Sequence, residues 1–414
     1  VTGPEAARRL LASPLLGRLA KVWDGGETFL TGGSLRDRLL GLPTHDLDLA
    51  VTGDPRAAAE ALAANLGGRC FPLGRPPLVT WRVAGGRHKA DLWGIEGGIE
   101  QDIFRRDFTV NALFWRLPRG PLLDLVGGLD DLAAGRIRVV RKENLVSDPL
   151  RVLRGVRLFA THPQLRLTAE SEKQLGAAAP GLRSVARERV CEELRLLLGG
   201  PGVERSVLVA ARIGVMEAML PAWRGYARVQ AAARLAGELG VLQHAGGVVA
   251  RAAVEVAVAV LASPSAGFPD AWEAPAAAAA LAAIGFPTRA AHRAAAAAAS
   301  GERLLAVLGR DAAAERGMAA EADELLQPAV AWAVARAATE GNNTRDAGVA
   351  LVRWWRRFSS RPPLLSGDEI ADLLALPAGP ARAAAVRALR LAQACGEVRT
   401  GAQARRFLRE KEFR

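Results

Sequence analysis

The chain has 414 residues, half of them hydrophobic, with 55 Lys and Arg against 43 Asp and Glu and a formal net charge of +12. That length exceeds one small core and implies roughly two to four domains, while the positive excess favours a polyanionic partner without saying which. Three distant cysteines, Cys70, Cys191 and Cys395, exclude a disulfide framework and a zinc cluster, and Arg251 and Glu255 interrupt the most hydrophobic stretch before it reaches membrane-spanning length.

In chain order, the N-terminal Val1 to Leu11 carries Glu5, Arg8 and Arg9 and lacks the apolar centre of a secretory signal. A reduced, cytoplasmic compartment is the resulting expectation, with no membrane partner. A short β-prone run, Thr28 to Thr31, leads into Gly32-Gly33 and a helix expected to start near Ser34. Two glycines let backbone N–H groups approach an anion, and the helix N-terminus adds its dipole. In the next strand, Leu47 to Val51, Asp46 and Asp48 alternate with Leu47 and Leu49. On a strand both carboxylates then face one way, as Mg²⁺ bound to substrate phosphates requires. Taken singly, the glycines read as a turn and the aspartates as a solvated strand face. Their succession within seventeen residues favours a phosphate cradle beside a metal site.

Further strands are expected at Leu78 to Val83, Lys89 to Trp93 and Leu122 to Leu125, and helices at Pro55 to Asn65 and Asp107 to Phe114. On the last of these, Asp107 and Asn111 are four apart and share a face. From Asp148 onward strand signals nearly vanish. Alanine blocks at 276–283 and 294–299 read as close-packed helical scaffold, and no repeat period stands out. The expected fold class is α+β: a small mixed β-sheet head, then an all-helical neck, body and tail. Boundaries are placed at 1–141, 142–200 and 201–414.

A second constellation opens the helical part. Ser147 is expected to cap a helix with Pro149 in its first turn. Asp148, Arg151, Arg154 and Arg157 recur every three residues along one face. One acid with three arginines is the pattern of an ordinary solvated face or of a site that receives an anion; a triphosphate would relieve the repulsion.

These motifs resemble the tRNA nucleotidyltransferase and bacterial poly(A) polymerase family, within the polymerase-β-like superfamily. The similarity runs through Gly32-Gly33-Ser34-Leu35-Arg36-Asp37, Asp46-Leu47-Asp48, Arg105-Arg106-Asp107-Phe108-Thr109-Val110-Asn111-Ala112 and Asp148-Pro149-Leu150-Arg151-Val152-Leu153-Arg154. It continues with Glu188-Arg189 and Glu193, and returns at Leu364 to Ile370 and Ala392 to Gly396. The resemblance implies in-line nucleotidyl transfer from CTP or ATP to an RNA 3′ end, with tRNA as partner and Mg²⁺ held by Asp46 and Asp48. Asp91 would be a candidate third carboxylate. Asp148 and Arg151 would imitate a Watson–Crick partner: a carboxylate accepts and a guanidinium donates, which suits C and A and repels U and G. Arg36, Arg106, Arg154 and Arg157 would contact phosphates and sugar, and Asp107 and Asn111 would hold those arginines or the ribose. The region after residue 200 would measure acceptor-stem length. Ser147 departs from the glutamate common in the family.

Only thirteen residues separate Asp91 from Arg105, where many relatives that build all of CCA carry a longer loop. A short tether cannot swing far, so addition of CC alone, or of A alone, is expected ahead of full CCA synthesis. The alternatives are a poly(A) polymerase and a catalytically silent RNA-binding relative. Scarcity of histidine (His45, His88, His162, His244 and His292) argues against an appended phosphohydrolase domain, and His45 reads as a loop residue. Oligomeric state is not legible.

Overall fold

The computed structural model describes residues 25–44, 46–75, 78–85, 88–117, 120–220, 226–245, 250–262 and 274–413. The expectations for Val1 to Leu11 and for His45 lie outside these residues. The chain divides into two compact units, one of residues 1–185 with 213–215, the other of 186–212 with 216–414.

The first unit is built on a seven-stranded sheet in the order β3-β4-β5-β2-β1-β6-β7. Its strands are β1 (Thr28–Thr31), β2 (Asp46–Val51), β3 (Arg69–Arg75), β4 (Leu78–Gly85), β5 (His88–Gly94), β6 (Phe114–Arg116) and β7 (Leu122–Leu123). Only β2 and β5 run parallel, so the sheet is mixed as expected. The period-2 pattern works as the sequence implies. Leu47, Leu49 and Val51 of β2 are buried, as is Leu30 of β1, while Asp46 and Asp48 alternate with the β2 leucines on the other face, which ends in the buried Ala50. Phe29, Ala50, Ile103, Ala112 and Phe114 form a core cluster, with Phe29 and Phe114 edge to face at 6.3 Å.

Strand β3 escapes the sequence pattern because it contains Pro72 and Gly74, and it occupies the sheet edge, where a missing donor costs least. Helix α1 (Gly32–Leu39) starts two residues before the expected Ser34, with Thr31 at its N-cap. Helix α2 (Pro55–Leu66) is capped by Asp54, whose side chain accepts from Arg56 N–H, and it packs on β3, β4 and β5.

The helix expected over Asp107 to Phe114 is not formed. After α3 (Ile99–Phe104), that stretch holds a single 3₁₀ turn at Thr109–Asn111 before β6 begins. Tertiary pairing overrides local propensity here: Thr109 N–H donates to Arg138 O at 2.9 Å and Val140 N–H donates to Asp107 O at 3.1 Å. Residues 108–115 are buried without interruption, so no helical period exists for an amphipathic helix to follow.

The segment continues through α4 (Gly128–Ala133), β8 (Arg136–Ile137), α5 (Lys142–Ser147), α6 (Leu150–Thr161), β9 (Arg166–Leu167) and α7 (Ala169–Ala178). Strands β8 and β9 pair in parallel, a two-residue sheet that the sequence pattern did not signal. Ser147 does not cap a helix. It closes α5, with its Oγ donating to Asn144 O at 3.1 Å, and Pro149 takes the N-cap position of α6.

Among its described residues the second unit is helical. Helices Thr288–Leu305 and Leu326–Thr339 pack through buried alanines, with Trp332 Nε1–H and Arg336 both donating to Glu302. The alanine block at 294–299 is thus close-packed scaffold, as expected, while the block at 276–283 buries Ala277, Ala278 and Leu281 and leaves Ala276, Ala279 and Ala283 exposed. Leu365, Ile370, Leu389, Val398 and Leu408 form a C-terminal core, flanked by capping boxes at Ser366/Glu369 and Thr400/Gln403.

Candidate active site

The double glycine and Asp48 are built against each other. Gly32 has φ +64°, and a Cβ there would lie 2.9 Å from Asp48 Oδ2. Ser34 N–H donates to that oxygen at 3.1 Å, and Asp48 N–H donates back to Ser34 Oγ at 2.9 Å. The N-terminal turn of α1 therefore presents a donor to the β2 carboxylate. Burial raises the Asp48 pKa, against the Ser34 hydrogen bond and the charge of Arg106. Asp46, two residues back on the same face, is exposed.

Asp91 stands beside Asp48 in register across the parallel β2–β5 pair, and Arg82 stands beside Asp91 on β4. Both Asp91 oxygens accept from Arg82: Nε donates to Oδ1 at 2.8 Å and Nη2 to Oδ2 at 2.7 Å. Among the described residues no cluster of three or more His, Cys, Asp or Glu is poised to hold a metal. A cation here would rest on Asp46 and Asp48 and take its remaining ligands from substrate and water. That donor set suits Mg²⁺, which keeps several waters and rarely uses an all-protein cage.

Arginines and their acids line the opposite wall. Arg106 lies over Trp93 and Phe114, 4.9 and 5.0 Å from their ring centroids, with Nε 3.1 Å from Asp102. Its Nη2 is buried without a hydrogen-bond partner among the described residues, and burial lowers its pKa. An anion entering the cavity would satisfy that donor. Arg154 pairs with Asp107 at 3.3 Å, and Asn111 donates to Asp107 Oδ1 at 3.0 Å. Burial pushes the Asp107 carboxyl up, but Arg154, Asn111 and the Phe108 N–H more than offset it, leaving it below the usual carboxylate range. Arg36 is buried, donating through Nη1 to Asn111 at 2.6 Å and through Nε to Asp37 at 2.8 Å. Asp37 in turn meets His162 Nε2 at 2.9 Å.

Helix α6 supplies the third wall. Its apolar side buries Val152, Leu153, Gly155 and Val156, and a Cβ at Gly155 would lie 2.6 Å from Phe108. This close approach leaves Arg151, Arg154 and Arg157 on the other side. Arg151 Nη1 donates to Asn144 O at 3.2 Å, and its Nε lies 4.0 Å from Asp148.

A cavity of 550 Å³ joins these walls. It gathers Gly32, Gly33, Asp48, Asp91, Arg106, Asp107, Asn111, Arg151 and Arg154 of the expected residues. Asp46, Arg36, Asp148 and Arg157 are not in its lining. Thr80, Trp93, Asp102 and Arg105 also line it and were not expected. Of these, only Arg105 carried a sequence signal, as the first arginine of the Arg105-Arg106-Asp107 run.

A double glycine opens a helix over a strand with two carboxylates, faced by an arginine-lined wall. The model of the Poly A polymerase head domain matches residues 28–84 and 80–138. A CC-adding tRNA nucleotidyltransferase of Geobacter sulfurreducens is 31% identical over 96% of this chain and 95% of its own length. A CC-adding tRNA nucleotidyltransferase of Thermus thermophilus is 40% identical over 200 residues, 47% of this chain and 45% of that protein, so the alignment spans about half of each. The CCA-adding enzyme of Bacillus stearothermophilus in complex with CTP shares the fold, with TM-score 0.72 and 22% identity over 99% of this chain and 98% of that one. The chain belongs to the tRNA nucleotidyltransferase family.

Proposed function

We propose that this protein transfers nucleotidyl groups, without a template, from CTP and/or ATP to the 3′ end of tRNA, with addition of the CC of the CCA end as its favoured task. The observation that carries the reading is the shared cavity, where the Gly32–Asp48 cradle faces Arg106, Arg151 and Arg154 across a space of nucleotide size. The head (1–141) performs transfer, the neck (142–200) reads the base, and the body and tail (201–414) bind tRNA in the cytoplasm.

Asp46 and Asp48 would hold Mg²⁺, and when bound it would supply Lewis-acid activation of the RNA 3′-hydroxyl, with a second Mg²⁺ on the triphosphate neutralising the pyrophosphate. The chain's own groups do the rest. Gly32 leaves room for the Asp48 carboxylate, and Arg106 and Arg154 neutralise the triphosphate. Asp107 and Asn111 hold Arg154 and Arg36 in place. Arg82 pairs with the Asp91 carboxylate, and Asp91 orients the cavity wall beside Asp48. Arg151 and Asp148 select C and A by donor and acceptor pattern.

The tether between Asp91 and Arg105 supports partial synthesis. Asp102 accepts hydrogen bonds from Trp93 Nε1–H and Arg105 Nε–H, Ile103 is wholly buried, and Ile95 and Ile99 pack on the same core. A segment so tied does not swing to reshape the pocket for a second base. Incubation with tRNA transcripts lacking CCA, CA or A, and with an unstructured RNA, tests the proposal by product length. Long A tracts on unstructured RNA would instead identify a poly(A) polymerase.

A further inference from the structure

The residue preceding the base-reading helix by six positions, Asn144, holds two parts of the cavity together. Its side-chain amide donates to Phe104 O at 2.8 Å and to Arg106 O at 2.7 Å. These carbonyls flank Arg105, at the start of the run that carries Arg106 and Asp107 into the cavity. Its own carbonyl accepts from Arg151 Nη1 at 3.2 Å, from Ser147 Oγ at 3.1 Å and from Asp148 N–H at 3.3 Å. Asn144 and Arg151 lie on different helices, α5 and α6. The extended backbone at Asp148 (φ −140°, ψ 91°) folds them together.

We infer that Asn144 is a positioning residue for base selection, clamping the guanidinium of Arg151 at a fixed distance from the phosphate-binding arginines. The chemistry calls for a short side chain that donates twice. Only a side chain with two N–H donors can satisfy two carbonyls at once, and a carboxylate of the same shape would meet both with repulsion. Arg151 has the freedom of a long side chain. Fixing one of its nitrogens on a backbone carbonyl that is itself anchored removes rotamers that could donate to a mismatched base. Of the two acids that act on Arg151, Asp107 does so through its charge and Asp148 lies at 4.0 Å from Nε. Burial also lowers the Arg151 pKa, and the Asn144 carbonyl is a neutral acceptor that compensates part of the lost hydration.

The inference rests on the reading of Arg151 as a base-selecting group, and the experiment separates the two. Full-length Asn144→Ala, Arg151→Ala and the double variant are compared with the wild type for single-nucleotide incorporation on tRNA from CTP, ATP, UTP and GTP. Direct binding of the same four triphosphates is measured in parallel. Loss of two neutral hydrogen bonds is expected to reduce the ratio of kcat/KM for correct over incorrect nucleotides by about tenfold in Asn144→Ala. The double variant should discriminate no worse than Arg151→Ala alone, because Asn144 acts through Arg151. An equal loss for all four nucleotides, or additive losses of discrimination in the double variant, would overturn the assignment. If Asn144→Ala does not fold, Asn144→Ser, which keeps one donor, should show an intermediate ratio, and a wild-type ratio there would also overturn it. If the wild type transfers nothing to tRNA, the proposed function falls while the binding preferences still judge Asn144. If Arg151→Ala leaves the preferences unchanged, the role of Arg151 and the inference fall together.

Discussion

Replacing Gly32 by alanine tests the contact on which the whole site turns. The backbone there is left-handed at φ +64°, which costs a residue with a Cβ about 1–2 kcal/mol. The new methyl would also lie 2.9 Å from Asp48 Oδ2. Retreat to ordinary contact near 3.4 Å moves that oxygen by about 0.5 Å, which stretches its 3.1 Å hydrogen bond from Ser34 N–H toward about 3.6 Å, beyond hydrogen-bonding range. A hydrogen bond to a charged group contributes about 1.5–3 kcal/mol, so the combined local cost is about 2.5–5 kcal/mol. Gly33→Ala is the control. Its Cβ would lie 3.3 Å from Nη2 of Arg36, a guanidinium held by Asn111 and Asp37 that need shift only by a few tenths of an ångström, and its φ is not positive. Less than about 1 kcal/mol is expected there, within the range of ordinary substitutions. Hydrogen exchange of peptides spanning residues 28–51 reads the local stability, and incorporation at saturating triphosphate reads the chemistry. Misplacing a metal carboxylate by this much is expected to slow incorporation by about 10- to 100-fold in Gly32→Ala, with Gly33→Ala within about threefold of wild type. Equal behaviour of the two variants would refute the argument that Gly32 exists to admit Asp48.

Asp46→Ala and Asp48→Ala are each expected to abolish incorporation; because Asp46 is exposed, its variant should keep wild-type stability within about 0.5 kcal/mol. Asp91→Asn should retain measurable incorporation in the same assay, and a loss as complete as that of Asp48→Ala would make Asp91 a metal ligand. The depressed pKa of Asp107 contributes stability that is present above the unfolded carboxylate value near about 4 and is lost as pH falls through the folded value. Asp107→Asn should therefore be less stable than wild type at pH 7, with the difference narrowing below about pH 4 in acid titrations; a gap that widens there would contradict the assigned network. Affinity for tRNA should fall steeply with salt, by about 10³-fold or more between 50 and 200 mM if six or more phosphates are contacted, and a flat salt profile would exclude a counterion-releasing surface. On tRNA lacking its last three nucleotides, CTP with ATP should give extension by two; extension by three with a terminal A would show that the packed tether does not limit the pocket.

The sequence by itself determined the elements whose meaning is local. Alternation of Asp46 and Asp48 with Leu47 and Leu49 marks a strand with a carboxylate face, because a strand has period two whatever surrounds it. Gly32-Gly33 marks a turn into a helix, and the alanine-rich stretches mark close-packed helices, since both follow from backbone freedom and side-chain size. Tertiary structure alone decided the rest. Residues 107–114 have helical spacing between Asp107 and Asn111, yet their backbone donors and acceptors are taken by Arg138 and Val140, so the two side chains meet through a 3₁₀ turn instead. Strand β3 forms despite Pro72 because it lies at an edge. Asp91 is a candidate third carboxylate in the sequence, and only register sets it beside Asp48 with Arg82 donating to both of its oxygens. Trp93, Asp102 and Asn144 carry no motif at all. Their roles arise from pairings nine residues apart, between Trp93 and Asp102, and 38 to 40 apart, between Asn144 and the carbonyls of Arg106 and Phe104, and no local pattern encodes contacts at that separation.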